Sequence, residues 1–278
     1  MDYKIVADSS CDLNEVIEKD LNIELVPFNI AIDEKEFRDD KDIVMEDLVK
    51  AMKASPNPIK TSCPSPGDFM DAYEKAKDIF VVTIADKLSG TYNSAILARD
   101  MALEKDSEKF VHVFDSKGAS VTETLTAIKI GELVEKGLSK EEIVEKVEDY
   151  IKDMKTYFIS EDLSNLIKNG RISKTKGLIA TILNFKPIMG ADDEGNIHLV
   201  ENIRGSNKAF NRLVEIIGES KKDFKEKILA ISHANAPQKA KDLKEKIKSL
   251  YDFKDILIVE TKGLSTAYVN HEGIILAF

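Results

Sequence analysis

Short apolar runs alternate with amphipathic stretches along the first half of the chain. Residues 79–85 are a continuous apolar run with the length of a buried strand, and residues 3–7 and 110–114 are mainly apolar stretches that also predict strands. The stretches 91–103 and 121–136 repeat their apolar residues at the spacing of one helical face. Strands and helices that alternate in this order form a mostly parallel sheet with helices on both faces. Such sheets bind ligands at the carboxyl ends of their strands.

The second half of the chain has a different order of elements. Residues 186–203 predict a β-hairpin around the turn D-D-E-G-N, and Ser206 is expected to cap the helix that follows. This order predicts a second α/β domain with a mixed sheet, and we place the two domains at 1–158 and 159–278. Further predicted elements are helices at 161–169, 174–183 and 237–250, strands at 157–160, 228–232 and 256–260, and a turn with a final strand over 263–278.

Local signals near the N-terminus predict how the first elements are connected. The segment D-S-S-C-D-L after the first strand is expected to lead into a helix capped by Ser10 or Asp12. Residues 23–32 are expected to form one strand that bends at Pro27, and the charged segment 33–37 is expected to form a turn.

Two stretches place hydroxyl groups directly ahead of a helix. In T-S-C-P-S-P-G-D-F, Ser65 is a good N-cap with proline at the first helical position, so Thr61 and Ser62 lie on a loop before the helix. In L-S-G-T-Y-N-S-A, Ser89 and Gly90 lie where a strand gives way to the next helix. The positive end of a helix dipole favours an anion. Thr61 and Ser62 alone would be interpreted as turn residues bonded to their own backbone, but the two stretches together indicate an anion site.

Composition narrows the classes of function. The chain has 278 residues, of which 43% are hydrophobic and 32% charged, as in a soluble globular protein. Its net charge of −10 argues against nucleic-acid binding, because no basic stripe offsets the acidic surplus. No apolar run reaches the ~18 residues of a membrane span, and the N-terminus lacks the pattern of a signal peptide. We expect a cytoplasmic protein that makes at most transient contact with a membrane.

Two enzyme interpretations compete with simple anion binding. A hydrolase would use Ser89 or Cys63 as nucleophile with a histidine base, but L-S-G-T-Y lacks the G-x-S-x-G pattern. A phosphate- or nucleotide-binding enzyme would combine the two helix starts with Arg171 and Arg204, but the chain has neither of the common glycine-rich phosphate motifs. The two cysteines and four histidines have no metal-ligand spacing. We therefore expect no metal and no cofactor.

A series of short motifs spans nearly the whole chain. Besides the two helix-start stretches, these are V-A-D-S-S-C-D-L at the start, F-D-S at 114–116, N-G-R-I from Asn169, F-K-P-I at 185–188, R-G-S-N-K-A from Arg204 and the terminal G-I-I-L-A-F. Each motif is weak alone, but in their order and spacing they resemble the DegV family.

The resemblance implies a two-domain α/β protein that binds a long-chain fatty acid between its domains, such as palmitate or another C16–C18 acid. Some members of the family are binding subunits of a bacterial fatty acid kinase. They are not enzymes themselves but present the carboxylate to a separate protein that uses ATP. The motifs imply carboxylate contacts from Thr61 or Ser62, and from Ser89 with the backbone of Gly90 and Thr91.

The resemblance also implies roles for two arginines. Arg171 of the G-R-I motif and Arg204 are expected to face the kinase or the transferred phosphate. Arg171 has an equally weighted alternative: because it follows Gly170 at a helix end, it could hydrogen-bond the last helical carbonyls.

One departure from the family concerns the C-terminus. Many members carry a His-x-Gly-Pro-Gly motif whose histidine approaches the carboxylate, whereas this chain has Y-V-N-H-E-G. Tyr268 stands at the position of that histidine and His271 is displaced by three residues. Either Tyr268 replaces the histidine, or a loop shift brings His271 back. The apolar segments 178–183 and 274–278 are candidates for lining the tail.

Overall fold

A computed structural model describes residues 2–172, 185–220 and 223–278, so the predicted helix at 174–183 lies outside the described residues. Within the described ranges the chain forms thirteen strands and ten helices. The strands are β1 (Tyr3–Asp8), β2 (Ile23–Val26), β3 (Asn29–Ile32), β4 (Lys35–Arg38), β5 (Lys60–Ser62), β6 (Asp78–Thr83), β7 (Phe110–Asp115), β8 (Thr156–Ile159), β9 (Phe185–Ala191), β10 (Ile197–Arg204), β11 (Ile228–His233), β12 (Asp255–Glu260) and β13 (Ile274–Ala277). The helices are α1 (Glu15–Asp20), α2 (Met45–Ala54), α3 (Pro66–Tyr73), α4 (Thr91–Lys105), α5 (Val121–Glu135), α6 (Lys140–Asp153), α7 (Ser164–Lys168), α8 (Ser206–Glu219), α9 (Pro237–Leu250) and α10 (Gly263–Val269).

The first sheet is parallel and is covered by helices on both faces. Its strand order is β2-β1-β6-β7, and every neighbouring pair is parallel. Because side chains alternate along a strand, Ile5 and Phe80 belong to a core with α5 and α6 on one face. Val6 and Val81 belong to a core with α3 and α4 on the other face. The layered arrangement predicted for the first half of the chain is confirmed.

The second sheet is mixed and has six strands in the order β10-β9-β8-β13-β11-β12. Only β11 and β12 are parallel neighbours, and the predicted hairpin over 186–203 is confirmed as β9 and β10. One face packs on α8 and α9, and the other packs on α5 and α10. Helix α5 therefore lies between the two sheets, which explains why ten of its 15 residues are buried.

The position of β8 bears on the division into domains. The predicted boundary at residue 158 falls inside β8, which pairs with β9 and with β13 of the second sheet. We propose that the division lies in the connection immediately before Thr156.

A small third sheet of order β4-β3-β5 is antiparallel and was not predicted. The prediction of one bent strand over 23–32 is wrong, because the chain leaves the parallel sheet after Val26 and starts β3 in the third sheet. Pro27 has no N–H to continue the ladder. The turn predicted at 33–37 is confirmed only at residues 33–34, which connect β3 to β4. The rest of that prediction is wrong, because β4 starts at Lys35 and Phe37 packs against a core beneath it.

Helix ends agree with the predictions only in part. The cap at Ser65 is confirmed: its Oγ accepts from the backbone N–H of Asp68 at 3.2 Å, and its own N–H donates to the Asp68 carboxylate at 2.8 Å. The cap predicted at Ser10 or Asp12 is wrong. The side chain of Asn14 caps α1 instead, accepting a first-turn amide at 2.9 Å.

Two further predictions near helices are wrong. Ser206 does not cap α8; it is the first helical residue, and Gly205 with φ of +92° precedes it without a side-chain cap. The turn predicted after residue 262 is the helix α10. Its sequence G-L-S-T-A-Y-V has weak helix propensity, so tertiary contacts must stabilise it.

Candidate functional site

A slot opens between the two sheets, at the carboxyl ends of β1, β6 and β7. Counted together with the open space at its mouth, it encloses about 840 Å³. Both halves of the chain contribute apolar side chains. The apolar lining includes Phe28, Ile84, Leu88, Phe158, Leu166, Ile197, Leu264, Val269 and Ile275. Of the two predicted tail-lining segments, 274–278 contributes Ile275, and 178–183 lies outside the described residues.

The two hydroxyl-bearing loops predicted from the sequence meet at this slot. Thr61 and Ser89 both line it. The loops adjoin, because a Cβ placed on Gly90 would lie 3.7 Å from the Sγ of Cys63. Thr91, whose side chain is buried, has its Oγ1 2.8 Å from the Oγ of Ser89 and so orients that hydroxyl. The slot therefore has hydroxyls where these stretches meet, and the rest of its lining is mainly apolar, with Ser10, Thr156 and Ser265 among the exceptions.

Thr61 and Ser62 point to opposite sides. The loop predicted for these two residues is wrong: they lie on β5, where consecutive side chains alternate between faces. Thr61 is half-buried and lines the slot, while Ser62 is exposed and does not line it. The structure therefore distinguishes between two residues that the sequence left as alternatives.

Tyr268 reaches the same polar end from the second half of the chain. Its phenol oxygen lies 2.8 Å from the Oγ1 of Thr61, although the two residues are 207 positions apart. His271 lies outside the slot lining, with its Nδ1 3.5 Å from the side-chain nitrogen of Asn235. Tyr268 and His271 were the two candidates for the position of the family histidine. The structure places Tyr268, and not His271, next to Thr61.

The two arginines lie in different places. Arg171 lines the slot, donating from Nε to the carbonyl of Leu88 at 3.1 Å and from Nη1 to that of Asn169 at 2.5 Å. Asn169 is the residue at the end of α7, so the bond to its carbonyl is the helix-end contact that was the alternative role predicted for Arg171. The bond to Leu88, next to Ser89, was not predicted. Arg204 is exposed at the end of β10, outside the slot lining.

The hydrolase interpretation requires a histidine base beside Ser89 or Cys63. Among the described residues that line it there is no histidine to act as base for Ser89 or Cys63. The described residues also include no group of three or more histidine, cysteine or acidic side chains that could hold a metal ion. The absence of a cofactor stays a prediction.

A cluster of buried acids beneath the slot was missed by sequence reasoning. Asp8, Asp12, Asp39 and Glu123 are each at most 1% exposed. Burial raises the pKa of Asp12 to about 7, although the N–H of Lys262 partly offsets this. Burial and the neighbouring carboxyl of Asp8 raise the pKa of Glu123 well above its usual range. A signal was present in the run D-S-S-C-D-L, which carries two acids directly after a buried strand.

This cluster predicts that the protein loses stability as the pH rises through neutrality. Asp12 binds its proton up to about pH 7 in the folded protein but only to about 3.8 when unfolded. The folded state therefore holds more protons over that interval, so the stabilisation is complete below pH 3.8, declines across the interval and is fully lost once the pH has passed 7. We expect the free energy of unfolding, measured in urea, to fall by about 1–2 kcal/mol between pH 6.5 and 8. Asp12→Asn, which removes the titrating carboxyl, should flatten this dependence, and a rise in stability over the same interval would contradict it.

The described helices include none that is both long and apolar enough to cross a bilayer.

Comparison with known proteins identifies the family. The sequence profile described as "Uncharacterised protein, DegV family COG1307" matches residues 2–276. A DegV domain-containing protein of Streptococcus pyogenes serotype M1 is 34% identical over 280 residues, covering 100% of this chain and 99% of its own. A DegV family protein from Ruminococcus gnavus, solved with vaccenic acid, superposes with a TM-score of 0.96 at 39% identity, covering 99% of both chains. The Fatty Acid Kinase (Fak) B3 protein of Streptococcus pneumoniae, solved with linoleic acid, gives 0.90 at 32% identity, covering 100% of this chain and 99% of that one. This chain belongs to the DegV family.

Proposed function

We propose that this protein binds one long-chain fatty acid in the slot and presents its carboxylate to a separate fatty acid kinase. One observation carries the proposal: hydroxyls from three separate elements, those of Thr61, Ser89 and Tyr268, line one end of a mainly apolar slot. Two relatives of similar fold were solved with vaccenic and linoleic acid, and one of them is described as a fatty acid kinase B protein. Each of these fatty acids has a carboxylate at one end and an apolar chain, which matches a slot with a polar end and a mainly apolar remainder.

The polar end suits a carboxylate that must later react. Hydroxyl and backbone N–H donors bind an anion without a permanent ion pair, so its oxygens stay accessible to a phosphoryl donor. Gly90 is the N-cap of α4 and has no side chain to satisfy the first-turn amides, which can therefore donate to the carboxylate. Each such hydrogen bond contributes about 1–3 kcal/mol, part of which offsets the desolvation of the charge.

The apolar lining supplies most of the affinity. Burying about 14 methylenes at about 0.8 kcal/mol each is worth roughly 11 kcal/mol before ordering costs are subtracted. The tail therefore sets how tightly the ligand binds, and the hydroxyls determine which end lies where.

The kinase partner and the location follow from the same proposal. We propose a non-catalytic role in the cytoplasm, where the ATP for acyl-phosphate formation is available. Arg204 is exposed and can contact a partner protein directly. Arg171 is joined to Leu88 beside the carboxylate loop, so we propose that it also orients that loop.

Substitutions of the Thr61 and Ser89 hydroxyls test the proposal. We expect Thr61→Val and Ser89→Ala each to weaken the binding of hexadecanoic acid about tenfold, and the double variant about a hundredfold, because each removes one donor to the carboxylate. The measurement is calorimetric titration of delipidated protein. Ser62→Ala is the matched control, since this hydroxyl lies on the opposite side of the same strand, and it should bind as the wild type does. Wild-type affinity in the double variant would refute the assignment.

A further inference from the structure

Asp39 connects the two parts of the polar end. It directly follows β4, in the third sheet, which also contains Thr61 on β5. Its Oδ1 accepts the N–H of Gly263 at 2.8 Å, and its Oδ2 accepts the N–H of Leu264 at 2.9 Å. These are the first two amides of α10, the helix that carries Tyr268. The carboxylate thus joins the sheet that positions Thr61 to the helix that positions Tyr268.

The surroundings of Asp39 fix its carboxylate in this position. The side chain is 1% exposed, and the hydroxyl of Ser9 donates to its Oδ2 at 2.9 Å. Its backbone N–H donates to the carbonyl of Phe28 at 2.9 Å. A side chain on Gly263 would place its Cβ 2.5 Å from Oδ1, so the helix reaches the carboxylate only because residue 263 is glycine.

Helix α10 depends on such an anchor. It has seven residues of weak helix propensity, and α-helices of this length are not stable alone. Asp12 accepts the N–H of Lys262 at 2.7 Å, but it follows β1 of the first sheet and does not belong to the sheet of Thr61. Of these two carboxylates, only that of Asp39 links α10 to that sheet.

We propose that Asp39 is a positioning residue for carboxylate recognition, which holds Tyr268 against Thr61 by anchoring the start of α10. The role in binding rests on the proposed fatty acid function, whereas the anchoring itself does not. Asp39→Asn keeps the shape but replaces one acceptor oxygen with an NH₂ group, which would face a backbone N–H. The helix start then loses a charge-assisted acceptor, and Tyr268 is no longer held at one distance from Thr61.

The first measurement needs no ligand. In full-length Asp39→Asn, amide hydrogen exchange of Gly263 and Leu264, followed by NMR, should accelerate about tenfold or more relative to wild type. Glu123→Gln is the matched control: its carboxyl is equally buried in the same acid cluster but belongs to α5, and it should leave exchange of these two amides unchanged. Ser9→Ala, a milder variant, should accelerate the same amides less. Unchanged exchange in both Asp39→Asn and Ser9→Ala would overturn the proposal.

The second measurement is a double-mutant cycle on hexadecanoic acid affinity. Tyr268→Phe should weaken binding in the wild-type and Glu123→Gln backgrounds but have little further effect in Asp39→Asn, whereas Ser89→Ala should keep its full effect in all three. A general loss of stability would not produce this selective coupling. If Tyr268→Phe kept its full effect in Asp39→Asn, the positioning role would be overturned. If exchange accelerated but the wild type bound no fatty acid, the anchoring would stand and the proposed function would fail.

Discussion

Decanoic acid should bind this protein about three orders of magnitude more weakly than hexadecanoic acid. The shorter acid has the same carboxylate and can make the same contacts with Thr61 and Ser89, but it buries six fewer methylenes. At about 0.8 kcal/mol per methylene, the difference is about 5 kcal/mol. The measurement is competition of both acids against a fluorescent fatty acid on delipidated protein.

Hexadecanol is the control that separates the contribution of the tail to the affinity from that of the carboxylate. It keeps the full chain and loses only the charge-assisted hydrogen bonds, so it should bind about 10–100-fold more weakly than hexadecanoic acid. Equal affinity for decanoic and hexadecanoic acid would contradict the account, because the tail would then lie outside the apolar slot.

Gly263→Ala should lower the free energy of unfolding by about 3 kcal/mol, although it adds only a single methyl group. The added Cβ would lie 2.5 Å from the Asp39 Oδ1 and 2.8 Å from the Cδ1 of Ile43. The buried carboxylate cannot move aside without giving up its bonds to Ser9 and to the helix amides. The measurement is urea unfolding followed by circular dichroism.

Gly67→Ala provides the matched comparison. Gly67 also lies in the first turn of a helix, but a Cβ there would meet only the Ser65 Oγ at an ordinary 3.6 Å. Alanine should therefore be neutral or stabilise the protein by up to about 1 kcal/mol, because it restricts the unfolded chain. Equal effects of the two substitutions would show that the contact between α10 and Asp39 is not tight.

The parts of the fold that could be predicted are those encoded by neighbouring residues. The apolar runs specified the parallel sheet, and Ser65 with Asp68 specified the start of α3, because both signals act within a few residues. The third sheet and α10 could not be predicted in this way. β4 is short and mostly charged, and α10 has weak intrinsic propensity, so both depend on partners distant in sequence, such as the Asp39 carboxylate at the start of α10.

The residues of the candidate site also separate into those that the local sequence could indicate and those that depend on distant contacts. Thr61 and Ser89 could be singled out because hydroxyls ahead of a helix favour anions. That Thr61 faces the slot and Ser62 does not could not be derived, because it follows from the pairing of β5 with β3. Tyr268 was singled out by resemblance to a family, since nothing local connects it to a residue 207 positions away. Asp39 was missed because D-D after a charged segment resembles an exposed turn.

A crystal structure of the protein with hexadecanoic acid tests the central claim most directly. The account predicts a carboxylate oxygen about 3 Å from the hydroxyls of Thr61 and Ser89, with the tail extended between the two domains along Phe158 and Ile275. A carboxylate at the other end of the slot, or a lipid bound elsewhere with the slot closed, would contradict it.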